Sequence, residues 1–177
     1  MLKYATFDKF IYMSSAGVYD GLDGDVDIES KLDPMNPYCI SKLAAEQYVK
    51  YFRSINKIKN YYILRLGGAF GNYSENKFIT KLVVDVYLKD KKNISVYGDG
   101  FNIIKTMYVK DTVFSLLACL VSENKDISCN LGQHSIPVKE LVYEVAKILG
   151  KKISINYIPL DKTQKYIYFE EKNDFNE

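Results

Sequence analysis

Tyr38 and Lys42, in the run Tyr38-Cys-Ile-Ser-Lys42, are spaced so that one helical turn brings a phenol and an ammonium onto a single face. That pairing can transfer protons. A cation about 4 Å from a phenolate, at an effective dielectric near 20, is worth about 4 kcal/mol, which draws a phenol toward the range where it serves as general base or acid. Ser15, 23 residues earlier, closes an apolar run and offers a hydroxyl to hydrogen-bond the same substrate oxygen. A Tyr-x-x-x-Lys match also arises by chance in a chain with 16 tyrosines, so the surrounding elements must decide.

Those elements read as alternating strands and helices. Phe10-Ile-Tyr-Met13 and Tyr61-Tyr-Ile-Leu-Arg-Leu66 are short, continuously apolar and aromatic, the pattern of strands buried on both faces of a parallel sheet. The first ends in Ser14-Ser15-Ala16-Gly17, and the second breaks at Gly67-Gly68 before a loop with Gly71 and Asn72. Between them, the acidic stretch from Asp20 to Asn36 reads as a loop, and Asn36-Pro37 starts a long amphipathic helix with Asn as N-cap and Pro at its first position. Further on, the spacing predicts a helix from Lys77 to Lys89, strands at Ile94–Tyr97 and Thr106–Val109, and a helix from Thr112 capped by Asp111. A strand over 127–131, a helix over 138–149 stopped by Gly150, and a strand over 153–158 complete the series. This is an α/β chain with a mostly parallel sheet. Ligands in such sheets bind beyond the carboxyl ends of the strands, where Ser15 and the start of the Tyr38 helix can converge.

Composition narrows the partners. The 177 residues are 47% hydrophobic and 26% charged, enough for a folded core, and a net charge of +2 does not announce nucleic acid or an anionic membrane. No apolar run approaches the about 20 residues of a membrane span, so a cytoplasmic location is expected. Cys39, Cys119 and Cys129 lie far apart and His134 is the only histidine, too few for a zinc site or disulfide framework. We read the cysteines as buried thiols. Ser14-Ser15 lacks the Gly-x-Ser-x-Gly elbow of a serine hydrolase. His134 reads as part of a solvated loop, and Lys89, Lys91 and Lys92 as a solvated helix end.

The motifs also carry a resemblance. Phe10-Ile-Tyr-Met-Ser-Ser-Ala-Gly-Val-Tyr19 and Asn36-Pro-Tyr-Cys-Ile-Ser-Lys-Leu-Ala-Ala-Glu46 resemble the catalytic strand and active-site helix of the NAD-dependent nucleotide-sugar epimerase/dehydratase family, among the extended short-chain dehydrogenase/reductases. Leu64-Arg65 with Gly71, Val96-Tyr-Gly-Asp-Gly100 with Tyr108-Val109 and Asp111, and Asn130-Leu-Gly132 before Val138 follow in the family's order. The resemblance implies Ser15, Tyr38 and Lys42 as the catalytic set, and Tyr38, Lys42 and Gly67 beside NAD. It places Ser15, Gly68 and Tyr97 at a nucleotide-diphosphate sugar, with Tyr97 near the base. It implies a partial Rossmann-like sheet over 1–72, a small α/β substrate-binding lobe with returning sheet elements over 73–160, and a polar tail over 161–177. In the family the tyrosine takes a proton from a sugar hydroxyl while hydride passes to NAD, because no side chain can accept it. Ala16 and Gly17 stand where 4,6-dehydratases carry Asp-Glu, so epimerase (isomerase) chemistry is favoured, with reduction also compatible.

Three departures stand out. The Gly-x-x-Gly-x-x-Gly fingerprint that cradles a dinucleotide pyrophosphate is absent, and Gly67-Gly68-Ala-Phe-Gly71 is no substitute because no helix starts there. Gly68 replaces the family's usual Asn, and Ile104 replaces an Arg that meets the substrate diphosphate; Lys105 could compensate only through a register shift. The chain is thus expected to be the second half of an enzyme, incomplete for catalysis alone. It is expected to pair with a second copy or a separate N-terminal half, or to be a non-catalytic binding module of the same fold.

Overall fold

The computed structural model describes residues 3–72, 74, 77–132, 134–159 and 167–169. Both apolar runs form strands, longer than their apolar centres: β1 spans Phe7–Ser15 and β3 spans Ile58–Leu66. They pair in parallel, with Ser15 opposite Leu66, and β3 pairs in parallel with β7 (Ile127–Leu131), giving the order β1-β3-β7. Alternation along β3 sends Tyr62 and Leu64 into a cluster with Cys119, Cys129 and Leu131, and Ile63 into another with Val49. The sheet therefore has a core on each face. β1 departs from the expectation of full burial: most of its residues are half-buried, because among the described residues it pairs only with β3.

Helix α1 (Pro37–Ser54) connects β1 to β3, and the Asn36 side chain caps it by accepting from the Cys39 amide at 2.9 Å. Cys39, Glu46 and Val49 are buried, whereas Ile40, Tyr48 and Tyr51 of the predicted apolar stripe are exposed. The stripe is wider than the face the sheet covers. The acidic stretch before α1 contains a short strand, β2 (Gly24–Val26), anchored by buried Val26 and paired in parallel with a segment at Ile167–Phe169. Most of the polar tail expected over 161–177 lies outside the described residues.

Beyond Leu66 the chain builds two further sheets, a second lobe, and returns to the first sheet through β7. Strand β4 (Gly68–Phe70) begins where a loop was expected and pairs with β6 (Ile103–Tyr108), which pairs antiparallel with β8 (His134–Pro137). His134 is thus in a strand rather than a loop. Helix α2 (Phe78–Val83) gives way to a π-helical turn at Val84–Leu88, near a valine-rich run that resists regular helix. The parallel pair β5 (Asn93–Tyr97) and β9 (Ser154–Ile158) packs with α2 and α4 (Val138–Ile148) around Leu82, Val86, Ile94, Val96 and Val142. Helix α3 (Val109–Val121) starts earlier than predicted, with Tyr108 at its N-cap and Asp111 inside the first turn. Lys89 and Lys91 are not merely solvated, since both bind Asp85, and Lys92 binds Asp90. All three cysteines are buried free thiols. No described helix is long and apolar enough to cross a membrane.

Candidate functional site

The carboxyl end of the sheet places Ser15, Leu66 and Leu131 side by side, and the Gly67 amide donates to the Leu131 carbonyl at 2.8 Å just beyond it. Ser15 is the N-cap of a short 3₁₀ turn (Ala16–Tyr19), its Oγ accepting from the Gly17 amide at 3.1 Å. That bond uses an acceptor lone pair and leaves the hydroxyl proton available. Tyr38 lies in the first turn of α1, 59% exposed, and Lys42 follows one turn later. The Lys42 ammonium donates to the Met13 carbonyl at 2.9 Å and lies 5.7 Å from the centre of the Tyr38 ring. The Met13 carbonyl thus holds the ammonium against β1.

Helix and strand exit meet at Gly17. A Cβ there would fall 2.3 Å from the Cys39 sulfur, so the missing side chain is what lets the 3₁₀ turn approach α1. Cys39 in turn donates to Asp20 at 3.6 Å, and burial raises the thiol's pKa.

Sequence reasoning missed the polar core beneath these groups. Ser14 donates to Glu46 Oε1 at 2.5 Å, and Arg65 donates to both Glu46 oxygens at 3.1 and 2.9 Å. Arg65 also reaches the Tyr19 hydroxyl, which donates to Asn130 at 3.0 Å. Glu46 is fully buried and Arg65 nearly so. Burial works against the Arg65 charge, yet Glu46 and Tyr19 raise its pKa overall, while burial pushes the Tyr19 phenol up. One signal was present in the sequence: an arginine inside an apolar strand demands a buried partner.

Lys105 follows Ile104 on β6 and so falls on the opposite face of the strand. β6 keeps regular register, with Ile104 opposite Ile136 and packed on the apolar cluster of the second lobe, and Lys105 opposite Ser135. The Lys105 backbone instead crowds Gly67, whose absent Cβ would meet its carbonyl oxygen at 2.8 Å. Burial pulls the Lys105 ammonium down to about 8, opposed by the Asp20 carboxylate. Between about 8 and the unfolded value the unfolded chain keeps a proton that the folded chain releases, so stability rises with pH there, by at most about 3 kcal/mol. Urea unfolding at pH 7.5 and 10 will show this rise and its loss in Lys105→Met; equal rises in both proteins reject the assignment.

Tyr97 belongs to a different surface. It closes β5 and lines a cavity of about 570 Å³ with Phe78, Lys81, Ser95, Asn102 and Ile104. Gly68 begins β4 opposite Thr106 and presents no side chain. The fold therefore gathers Ser15, Tyr38, Lys42 and Gly67 at the sheet end and sets Tyr97 in the second lobe.

Known proteins share this arrangement of elements. The structure superposes on UDP-glucuronic acid 4-epimerase from Bacillus cereus, solved with UDP-glucuronic acid and NAD, with a TM-score of 0.80 at 23% identity, covering 96% of this chain and 54% of that one. UDP-glucose 4-epimerase of Thermotoga maritima gives 0.78 at 22%, covering 97% and 57%. In sequence, a putative UDP-glucose 4-epimerase of Methanocaldococcus jannaschii is 27% identical over 140 residues, 76% of this chain and 45% of that protein. Human dTDP-D-glucose 4,6-dehydratase is 29% identical over 148 residues, 82% and 41% respectively. The chain spans about half the length of the proteins it matches. A family model described as NAD dependent epimerase/dehydratase family matches residues 1–132, a range that includes the whole sheet end and the Tyr38 helix. The chain belongs to the NAD dependent epimerase/dehydratase family.

Proposed function

We propose that this chain is the catalytic and substrate-binding portion of an NAD-dependent nucleotide-sugar epimerase. The observation that carries the reading is the convergence of Ser15, at the end of β1, with Tyr38 and Lys42 of α1. The Tyr38 hydroxyl exchanges a proton with the reacting sugar hydroxyl, and Ser15, its lone pair occupied by Gly17, donates to the same oxygen. Lys42 has three N–H donors and spends one on Met13, which leaves donors for ribose hydroxyls, a fit to the nicotinamide-ribose end of NAD. NAD, when bound, supplies the hydride acceptor that these residues lack. Ala16 and Gly17 carry no carboxylate for water elimination, which favours epimerisation over dehydration.

The sequence contains no pyrophosphate fingerprint, so we assign that site to a dinucleotide-binding half paired with this one; a second copy would cover only the open sheet edge. The incompletely covered β1, the exposed Tyr48 and Tyr51 of α1, and the exposed Phe114 and Leu117 of α3 supply surface for such pairing. Sedimentation and calorimetry of the isolated chain will show self-association or marginal stability. A sharply melting monomer rejects pairing.

The cavity beside Tyr97 is large enough for a nucleoside and takes the base. Titration calorimetry with UDP-glucose and dTDP-glucose will give saturable binding, weakened at least about 5-fold by Tyr97→Ala through lost stacking. No heat from either sugar nucleotide overturns the reading. A second reading, a binding module without turnover, is favoured by Gly68 and by Ile104 in the cavity wall, where the family has polar contacts. Binding without turnover in any assembled form would select it.

A further inference from the structure

Helix α1 touches β1 through two polar contacts that fall on consecutive strand residues. Lys42 binds the Met13 carbonyl at 2.9 Å, and Glu46, one turn later, accepts from Ser14 at 2.5 Å. The next residue is Ser15. Tyr38, Lys42 and Glu46 are spaced by four along one helix face, so the helix presents, in order, a proton-transfer group and two anchors, and the strand answers with two anchor points ahead of its hydroxyl. Position along the helix axis is set by the second rung, because Glu46 is fully buried and is itself held in two-point contact by Arg65 of β3. The first rung ends in a flexible four-carbon side chain.

We infer that Glu46, acting through Ser14, is a positioning residue that fixes the axial register of Tyr38 and Lys42 against Ser15. The inference rests on the reading of those three residues as the catalytic set. An apolar pair of equal volume would pack α1 onto β1, yet would leave the helix free to slide by fractions of an ångström. Carboxylate and hydroxyl at 2.5 Å do not allow that.

Ser14→Ala removes the rung and leaves the Glu46–Arg65 pair intact, so it folds; Glu46→Gln, which unpairs Arg65, serves as the more severe variant. In NMR spectra of the full chain, Ser14→Ala will shift the Ser15 and Gly17 amides and the Tyr38 ring signals and leave those of β5 and β9 in place. In the chain assembled with a dinucleotide-binding half, kcat will fall about 10-fold to 100-fold at unchanged KM. Ser14→Thr, which keeps the hydroxyl, will restore both. A lower melting temperature with unmoved Tyr38 signals shows a merely structural contact and overturns the inference, as does full kcat in Ser14→Ala. Lack of turnover in the unsubstituted assembly defeats only the catalytic reading, because the NMR comparison still decides the clamp.

Discussion

Tyr38→Phe, measured in the chain assembled with a dinucleotide-binding half and NAD, will lower turnover by about 10²-fold to 10⁴-fold, the range expected for losing a positioned acid–base group. The substitution deletes one oxygen. Because Tyr38 is 59% exposed, its loss removes little packing, and the melting temperature will stay within about 2 °C, as for a surface change. On the proposed reading KM for the sugar nucleotide will change little, since the phenol then works on the reacting hydroxyl while the base sits in the cavity beside Tyr97. The control is Tyr143→Phe, on the exposed part of α4, which will keep full activity. Retained turnover in Tyr38→Phe would show that another group moves the proton, and would remove the central assignment.

Arg65→Leu is the largest stability change we expect. It strands a carboxylate that is fully buried and removes one donor to the Tyr19 hydroxyl, so it will cost about 3–5 kcal/mol, the loss seen when one member of a buried ion pair is deleted. For a chain of this length that lowers the melting temperature by about 6–20 °C. Removing both charges, in Arg65→Leu with Glu46→Met, will recover most of the loss, because no uncompensated charge is left behind. Denaturant unfolding of the two variants checks the pattern. A single variant as stable as the parent would mean that the Glu46 carboxylate finds water or another donor by a different route.

Much of this architecture was legible in the residues. Alternation of apolar strands and amphipathic helices gave the α/β class, and Asn36-Pro37 placed the start of α1 to the residue, because a cap and a fixed φ are local signals. The approach of the β1 exit to the first turn of α1 followed from a general rule about strand ends. Long-range effects were harder to read. β8 and β2 are short strands made by pairing rather than by propensity, so His134 and Val26 gave no warning. Asp111 resembled a cap, but the helix begins at Val109 because the chain leaves β6 directly into it. The Lys42 ammonium went to a backbone carbonyl of β1, a competitor that a sequence does not display. The buried charges were written in plain sight, as an arginine in an apolar strand and a glutamate one turn beyond Lys42, and needed only to be read as a pair.

The loop that would carry carboxylates for elimination chemistry and the helix that carries Tyr38 share one small volume, occupied by the Cys39 sulfur. A side chain at position 17 therefore requires the Cys39 sulfur to move aside, by turning about its Cα–Cβ bond or by a smaller residue at position 39. The residue tolerated at the strand exit is thereby coupled to the helix position next to Tyr38.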